Sequence, residues 1–255
     1  MGELSNYIYK YLDHIKDIEN RIISEQKDTI DAAAGLMLDV FESGHNIFAF
    51  GPGHAGMFSE EMFYRAGGLA ITNPLFFPGV MIDENPITLT SAYEVLPGFA
   101  SVMLKNSPLK KGDLLFIHSV AARNPVVVEL AIKAKTQGVH VVSIINMDYA
   151  SQVTSRDPSG KMLQDVSDIV IDTCGDLGDA SISVEGIPCK VAPTSSISGC
   201  FIAICLQLQF IAKMLEQGKV PPIFQSANVD GGAEYNAKLL EKYKSRIFYM
   251  GFNKE

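Results

Sequence analysis

A strand, a glycine-rich loop and a helix follow one another between residues 46 and 65, and this unit constrains the fold more than any other feature. The strand is the short apolar run Asn46 to Phe50, the loop is Gly51-Pro52-Gly53-His54-Ala55-Gly56, and a helical pattern begins at Met57. Glycines let backbone amides approach a ligand, and the helix N-terminus adds unpaired donors and partial positive charge. The loop therefore suits an anion, although the same glycines also serve a plain strand-to-helix turn.

A second unit of the same kind follows further along the chain. The apolar strand Asp113 to Ser119 leads through a loop at residues 120–125 into a helical run at 126–137, and another strand occupies residues 139–146. Parallel sheets bind ligands outside the carboxyl ends of their strands, at the point where the strand order reverses. We therefore expect the two loops to face one crevice.

The alternation of apolar runs and helical patterns predicts the fold class. It indicates an α/β fold with a doubly wound, flavodoxin-like, five-stranded parallel sheet flanked by helices, preceded by extra N-terminal helices. Residues 1–255 form a single predicted domain, with an N-terminal helical extension at 1–44, a core at 45–217 and a C-terminal tail and helix at 218–255. The second and fifth strands are predicted at Leu69–Thr72 and Asp168–Asp172.

The N-terminal extension has one strongly apolar face. Its pattern predicts two helices, at residues 3–23 and from Gln26 to Ser43, with a helix end at Gly44. The apolar face either covers its own domain or packs against a second subunit, and we favour the second, in a homodimer or homotetramer. The apolar run from Ile197 to Met214 carries Gln and Lys residues, which is typical of a buried core helix rather than a membrane span.

Charge and cysteine content narrow the function classes. The net charge of −8 disfavours nucleic acid and anionic membranes as partners. The four cysteines form no CxxC pair or zinc-type cluster, and the first residues lack the pattern of a signal peptide, so we expect a cytoplasmic protein without a bound metal. An acidic loop, Cys174 to Ala180, is expected to be solvated rather than to bind calcium.

Three stretches carry a family resemblance. GPGHAG followed by SEEMFYRAGG, and then GDLLFIHSVAARNPVVVELAIKAKTQGVHVVSIIN, resemble the SIS (sugar isomerase) domain, whose loops read roughly G-x-G-x-S and S-x-S-G-x-T/N. The C-terminal stretch GKVPPIFQSANVDGGAEYNAKLLEKYKSRI is similar to a bacterial subfamily whose members are labelled phosphoheptose or phosphosugar isomerases. The resemblance implies a phosphorylated sugar bound between the two loops by hydroxyls and backbone amides, with no cofactor.

The resemblance also implies the binding residues. Ala55 replaces the family serine of the first loop, Ala121-Ala122 replaces the Ser-Gly of the second, and Ser119 remains. Hydroxyls before the long apolar helix can cap it or bind the phosphate. The candidate substrate-binding residues are Gly51, Gly53, His54, Ala55, Ser119, Ala121, Ala122, Arg123, Asn124, Thr194, Ser195 and Ser196.

The implied activity is aldose–ketose isomerisation of a phosphosugar through an enediol. In the family a glutamate on the helix after the first loop moves the proton; Glu60 and Glu61 both qualify, and we place Glu61 first because it shares a helix face with Arg65. His54 or His118 would assist ring opening or proton transfer between oxygens, although a lone histidine in a loop more often holds that loop in place by a hydrogen bond. The alternatives are a non-catalytic regulatory module that binds a carbohydrate derivative, and a lyase or etherase acting on an amino-sugar phosphate.

Overall fold

Five parallel strands form the central sheet of the computed structural model, which describes residues 4–251, in the order β2-β1-β3-β4-β5. This is the predicted flavodoxin-like order, and the strand order reverses between β1 and β3. The strands are β1 (Ile47–Phe50), β2 (Thr72–Pro74), β3 (Leu114–His118), β4 (His140–Ile145) and β5 (Ile169–Asp172). In register, Ile47 of β1 lies between Thr72 and Leu114.

Helices flank both faces of the sheet. In chain order they are α1 (Leu4–Glu42), α2 (Met57–Met62), α3 (Thr88–Glu94), α4 (Phe99–Lys105), α5 (Pro125–Thr136), α6 (Met147–Ser151), α7 (Ser195–Glu216) and α8 (Gly232–Tyr243). The predicted N-terminal helix pair is one continuous helix, α1. Its middle contains neither glycine nor proline, and Arg21 pairs with Glu25 across the expected break, so nothing ends the helix there.

The second strand lies later in the chain than predicted. Leu69 forms an antiparallel bridge to Ile223 instead of joining the sheet, and the Ala70 amide donates to the Pro222 carbonyl at 2.8 Å. The parallel ladder starts only at Thr72. Leu69 and Ala70, whose sequence predicts a strand of the sheet, thus form their backbone hydrogen bonds with the C-terminal tail instead.

Alternate residues of the strands feed two apolar layers. On β1, Ile47 and Ala49 join α1, α2 and α7 in one cluster that includes Ile22 and Phe210. Phe48 and Phe50 point to the opposite face, into a cluster built with α4 and α5. Both faces of the sheet are therefore buried, as the apolar strands require.

An antiparallel hairpin, β6 (Ala180–Ile182) and β7 (Val191–Pro193), precedes α7. α7 packs against α1 and α2. By length and hydropathy α7 could cross a membrane, but core helices share this composition, and 44% of its most apolar window is buried here.

Candidate functional site

A cavity of about 410 Å³ opens at the carboxyl ends of β1, β3, β4 and β5. This is the switch point of the sheet, where the sequence places both loops. Seven of the predicted binding residues line it: Gly53, His54, Ala55, Ser119, Ala121, Asn124 and Ser195. The remaining predicted residues are not among those that form its wall.

The first loop is tightly folded beneath the cavity. Gly53 adopts a φ of 55°, and its amide donates to the Val80 carbonyl at 2.7 Å. A Cβ on Gly51 would lie 2.3 Å from the Ala55 carbonyl oxygen. These two glycines are therefore required by the backbone path, as the glycine pattern predicted.

The second loop presents free donors. Within residues 4–251, the backbone amides of Ala121, Ala122, Arg123 and Asn124 donate to no protein acceptor, and they precede the twelve-residue helix α5. Ala122 is fully buried with a φ of 57°, a conformation that favours glycine. The loop thus keeps the backbone path of a glycine although the residue is alanine.

The two candidate histidines differ in exposure. His54 is exposed and lines the cavity, whereas His118 is only 1% exposed and lies behind the first loop, with Nδ1 3.0 Å from the Ala55 carbonyl oxygen. Burial lowers the pKa of His118 to about 4, so its imidazole is neutral at pH 7. Its Nε2 has no hydrogen-bond partner among the described residues.

Glu61, the predicted base, is not part of the cavity wall. Its carboxylate forms an ion pair with Arg65, as the helix spacing predicted. Burial, with a smaller contribution from the Glu61 charge, raises the pKa of the Cys200 thiol to about 11, which places Glu61 beside α7. Glu60 is exposed on the same helix and does not line the cavity.

Polar groups at the start of α7 bind a carboxylate of the protein itself. Asp179 accepts hydrogen bonds from the Thr194 amide at 3.0 Å and from the amide and hydroxyl of Ser195 at 2.8 Å each. Asp179 of the acidic loop therefore reaches the start of α7 and lines the cavity, whereas Leu177 and Gly178 of the same loop are exposed to solvent, as expected. Ser196 does not line the cavity.

Glu94, at the C-terminus of α3, is a carboxylate of the cavity that the sequence motifs did not predict. Its Oε2 accepts a hydrogen bond from Asn124 Nδ2 at 2.9 Å, and Asn124 Oδ1 in turn accepts one from Arg156 at 3.2 Å. Burial raises the pKa of Glu94 above its ordinary value, against the opposing effects of Asn124 and Arg156. The long irregular stretch that precedes α3 was the only signal, since such loops are usually functional.

Other wall residues were also missed by the motifs. They are apolar side chains and hydroxyls of the cavity wall: Ile82, Ile87, Thr90, Ser91 and Tyr149. Across residues 4–251, no three His, Cys, Asp or Glu side chains are grouped so that they could hold a metal ion.

Comparison with known proteins decides the family. Residues 10–146, more than half of the chain, match the model of the SIS domain. The chain belongs to the SIS domain family. The SIS loops predicted from the sequence are the two loops of the cavity, and both lie inside the matched residues.

Relatives of this SIS protein span nearly its whole length. A UPF0309 protein of Shouchella clausii is 44% identical over 96% of this chain and 100% of its own, and one of Streptomyces coelicolor is 42% identical over 94% and 96%. A solved phosphoheptose isomerase from Francisella tularensis has a TM-score of 0.52 at 15% identity, covering 82% of this chain and 98% of that one. That structural likeness supports the fold alone.

Proposed function

We propose that the cavity binds a phosphorylated sugar and interconverts its aldose and ketose forms. The observation that carries the proposal is the open cleft of about 410 Å³ between the two SIS loops, a volume in the range of small-molecule sites. Membership of the SIS family supports the same ligand class, and the structural neighbour from Francisella tularensis is itself a phosphoheptose isomerase.

The phosphate is expected at the second loop. The free amides of Ala121 and Asn124, which both line the cavity, supply donors to an anion together with the start of α5, and Ser119 adds a hydroxyl. The first loop carries no side-chain hydroxyl, because Ala55 stands in the serine position. Recognition of the phosphate therefore depends mainly on backbone donors.

The sugar itself is expected toward Glu94 and Asp179. Carboxylates accept hydrogen bonds from sugar hydroxyls, and Thr90, Ser91 and Tyr149 can exchange hydrogen bonds with the others.

Thermal shift with a set of sugar phosphates tests this function. A ligand present at a hundred times its dissociation constant stabilises the native state by about 2.7 kcal/mol, so binding raises the melting temperature. We expect aldose or ketose phosphates to raise it while the matching free sugars do not. A rise with free sugars alone, or with none of the compounds, would refute the phosphate proposal.

A non-catalytic binding module is the second candidate, and the loop alanines favour it. Ala55 and Ala121 remove hydroxyls that the family pattern places around the ligand. Proton NMR in D2O separates the two functions, because an isomerase exchanges the hydrogen at C1 or C2 of a bound sugar phosphate for deuterium. Binding without exchange would favour the module.

We also propose that the protein works as a homodimer or homotetramer in the cytoplasm. Six apolar side chains follow one another along α7 at alternating spacings of four and three residues: Ile197, Phe201, Ile204, Leu208, Ile211 and Leu215. Four of them, at positions 197, 204, 208 and 215, are 37% to 59% exposed. A seam of this spacing packs against a copy of itself, as helices do in coiled coils.

Leu208→Glu tests the assembly. A charge in the middle of the seam should convert the oligomer to a monomer in light scattering at micromolar concentration. Ile187→Glu is the matched control, since Ile187 is similarly exposed but lies between β6 and β7. A parent protein that is already monomeric would refute the proposal.

A further inference from the structure

We propose that Glu94, rather than Glu61, is the general base that moves the proton between C1 and C2 of the sugar. This assignment rests on the proposed isomerase function and names a residue that the loop motifs do not contain. It follows from which carboxylates the fold brings to the cavity and from what each is already bound to.

The position of Glu94 meets the first requirement of a base, which is contact with the space that the substrate occupies. Glu94 lines the cavity, and a Cβ added to Gly53 of the first loop would lie 3.5 Å from its Oε1. Asn124 of the second loop holds Oε2. The carboxyl group therefore lies where the two SIS loops meet, with no protein hydrogen bond to Oε1 among the described residues.

The other carboxylates are less suited. Asp179 also lines the cavity, but its two oxygens accept hydrogen bonds from the Thr194 and Ser195 amides and from the Ser195 hydroxyl. Both oxygens of Asp179 are therefore held by donors of the protein, whereas Oε1 of Glu94 is free of protein hydrogen bonds among the described residues. Glu61 is paired with Arg65 outside the cavity wall.

Burial changes the pKa of Glu94 in the direction that suits a general base. Its pKa is raised, because the half-buried carboxylate loses hydration, and a base works best when its pKa approaches the working pH. The other titratable groups on the same cavity are His54, Tyr149 and Asp179, and Arg156 acts on Glu94 from beyond Asn124.

The proposed step is balanced without a cofactor. Glu94 takes the proton from C2 of the open-chain aldose, the electron pair of that C–H bond forms the C1=C2 double bond, and O1 is protonated to give the enediol. Glu94 then returns its proton to C1 while the O2 proton leaves, and C2=O forms. His54, exposed in the same cavity, is placed to carry the proton between O2 and O1.

Glu94→Gln tests the assignment by deuterium exchange at C1 and C2, followed by NMR. The probes are glucose 6-phosphate with fructose 6-phosphate and arabinose 5-phosphate with ribulose 5-phosphate. We expect exchange to fall at least about 10²-fold, while the thermal shift caused by the same probe is retained. Glu129→Gln is the matched control, because Glu129 is a half-buried, hydrogen-bonded glutamate outside this cavity.

The fold of the variant has its own check. Because the folded-state pKa of Glu94 is raised, its ionised form costs stability at neutral pH, and this cost appears as the pH rises through that pKa. Glu94→Gln should therefore melt at or above the parent temperature at pH 7. Lost exchange in a protein that melts lower and no longer binds the probe would be a structural effect and would count against the assignment.

A pH profile separates a base from a positioning residue. Exchange should fall as the pH drops through the raised pKa of Glu94. Arg156→Gln removes a charge that lowers this pKa, so the acid limb should move to higher pH. An unchanged limb would contradict the proposal.

The outcomes keep the two proposals apart. If the parent binds and exchanges a probe but Glu94→Gln exchanges it equally well, Glu94 is not the base and the proposed function stands. A loss in Glu61→Gln alone would return the role to Glu61. If the parent binds none of the probes, the proposed function fails and the assignment fails with it.

Discussion

Two histidines, His54 in the loop after β1 and His118 at the last position of β3, lie at the same edge of the sheet but in opposite environments. His54 is exposed in the cavity, whereas His118 is sealed between the Ala55 carbonyl and α7, where Gly199 approaches its ring. The difference shows how the site is layered: one loop forms the surface that a ligand meets, and the end of the neighbouring strand supports that loop from below. Stability and binding measurements can test each side of this contrast.

The strongest effect that we expect is the pH dependence of stability that His118 causes. Its folded pKa of about 4 lies below the value of about 6.5 for unfolded histidine, so only the unfolded chain binds a proton between these values. The free energy of unfolding should fall by roughly 2–3 kcal/mol from this group as the pH drops from 7 to 4.5.

Urea denaturation at both pH values measures this fall. His118→Asn should lose that part of the dependence, whatever its stability at pH 7. His54→Gln, which changes the exposed histidine, should keep it. Equal dependence in the parent and in His118→Asn would mean that His118 is not held neutral by burial.

Gly199→Ala addresses the packing that seals His118. A Cβ at Gly199 would lie 2.7 Å from Cε1 of the buried ring, so the ring or α7 must shift. We expect a destabilisation of about 1–3 kcal/mol in urea denaturation, the usual cost of overpacking.

Gly35→Ala is the matched control, because Gly35 also lies inside a long helix but has no atom within 4 Å of its Cβ position. There the substitution should stabilise by roughly 0.5–1 kcal/mol through helix propensity. If Gly199→Ala were as stable as the parent or more stable, His118 would have room that the structure does not give it.

The weakest effect that we expect concerns the cavity side of the contrast. Ala55 and Ala121 line the cavity where the family pattern has hydroxyls. A serine reaching a phosphate oxygen adds a hydrogen bond to a charged acceptor, so Ala55→Ser and Ala121→Ser should each tighten phosphosugar binding about tenfold, or ~1.4 kcal/mol. Ser119→Ala should weaken it.

Calorimetric titration with the sugar phosphate that gives the largest thermal shift measures these affinities. Unchanged affinity in both serine variants would mean that the phosphate lies away from these two positions. If a free sugar stabilised the parent instead, the cavity would serve a different ligand class.

Local sequence patterns were enough to predict the sheet, its parallel strands and the two loops that meet at its switch point. Buried parallel strands are continuous apolar runs, and loop glycines such as Gly51 and Gly53 are dictated by their own backbone, so these signals are local. The predicted break inside α1 was wrong, and the local sequence agrees with the structure there, since no residue near the expected break ends the helix.

Packing between distant elements determines which polar side chains share the cavity. Glu94 reaches it because α3 packs beside α5 and Asn124, Asp179 reaches it by binding the start of α7, and His118 is buried because Gly199 lies against it. The contacts of Glu94 and His118 join residues that are at least thirty positions apart in the sequence. Asp179 and Ser195 are 16 positions apart. Periodicity and turn signals extend over a few residues, whereas such contacts depend on how whole helices pack on the sheet.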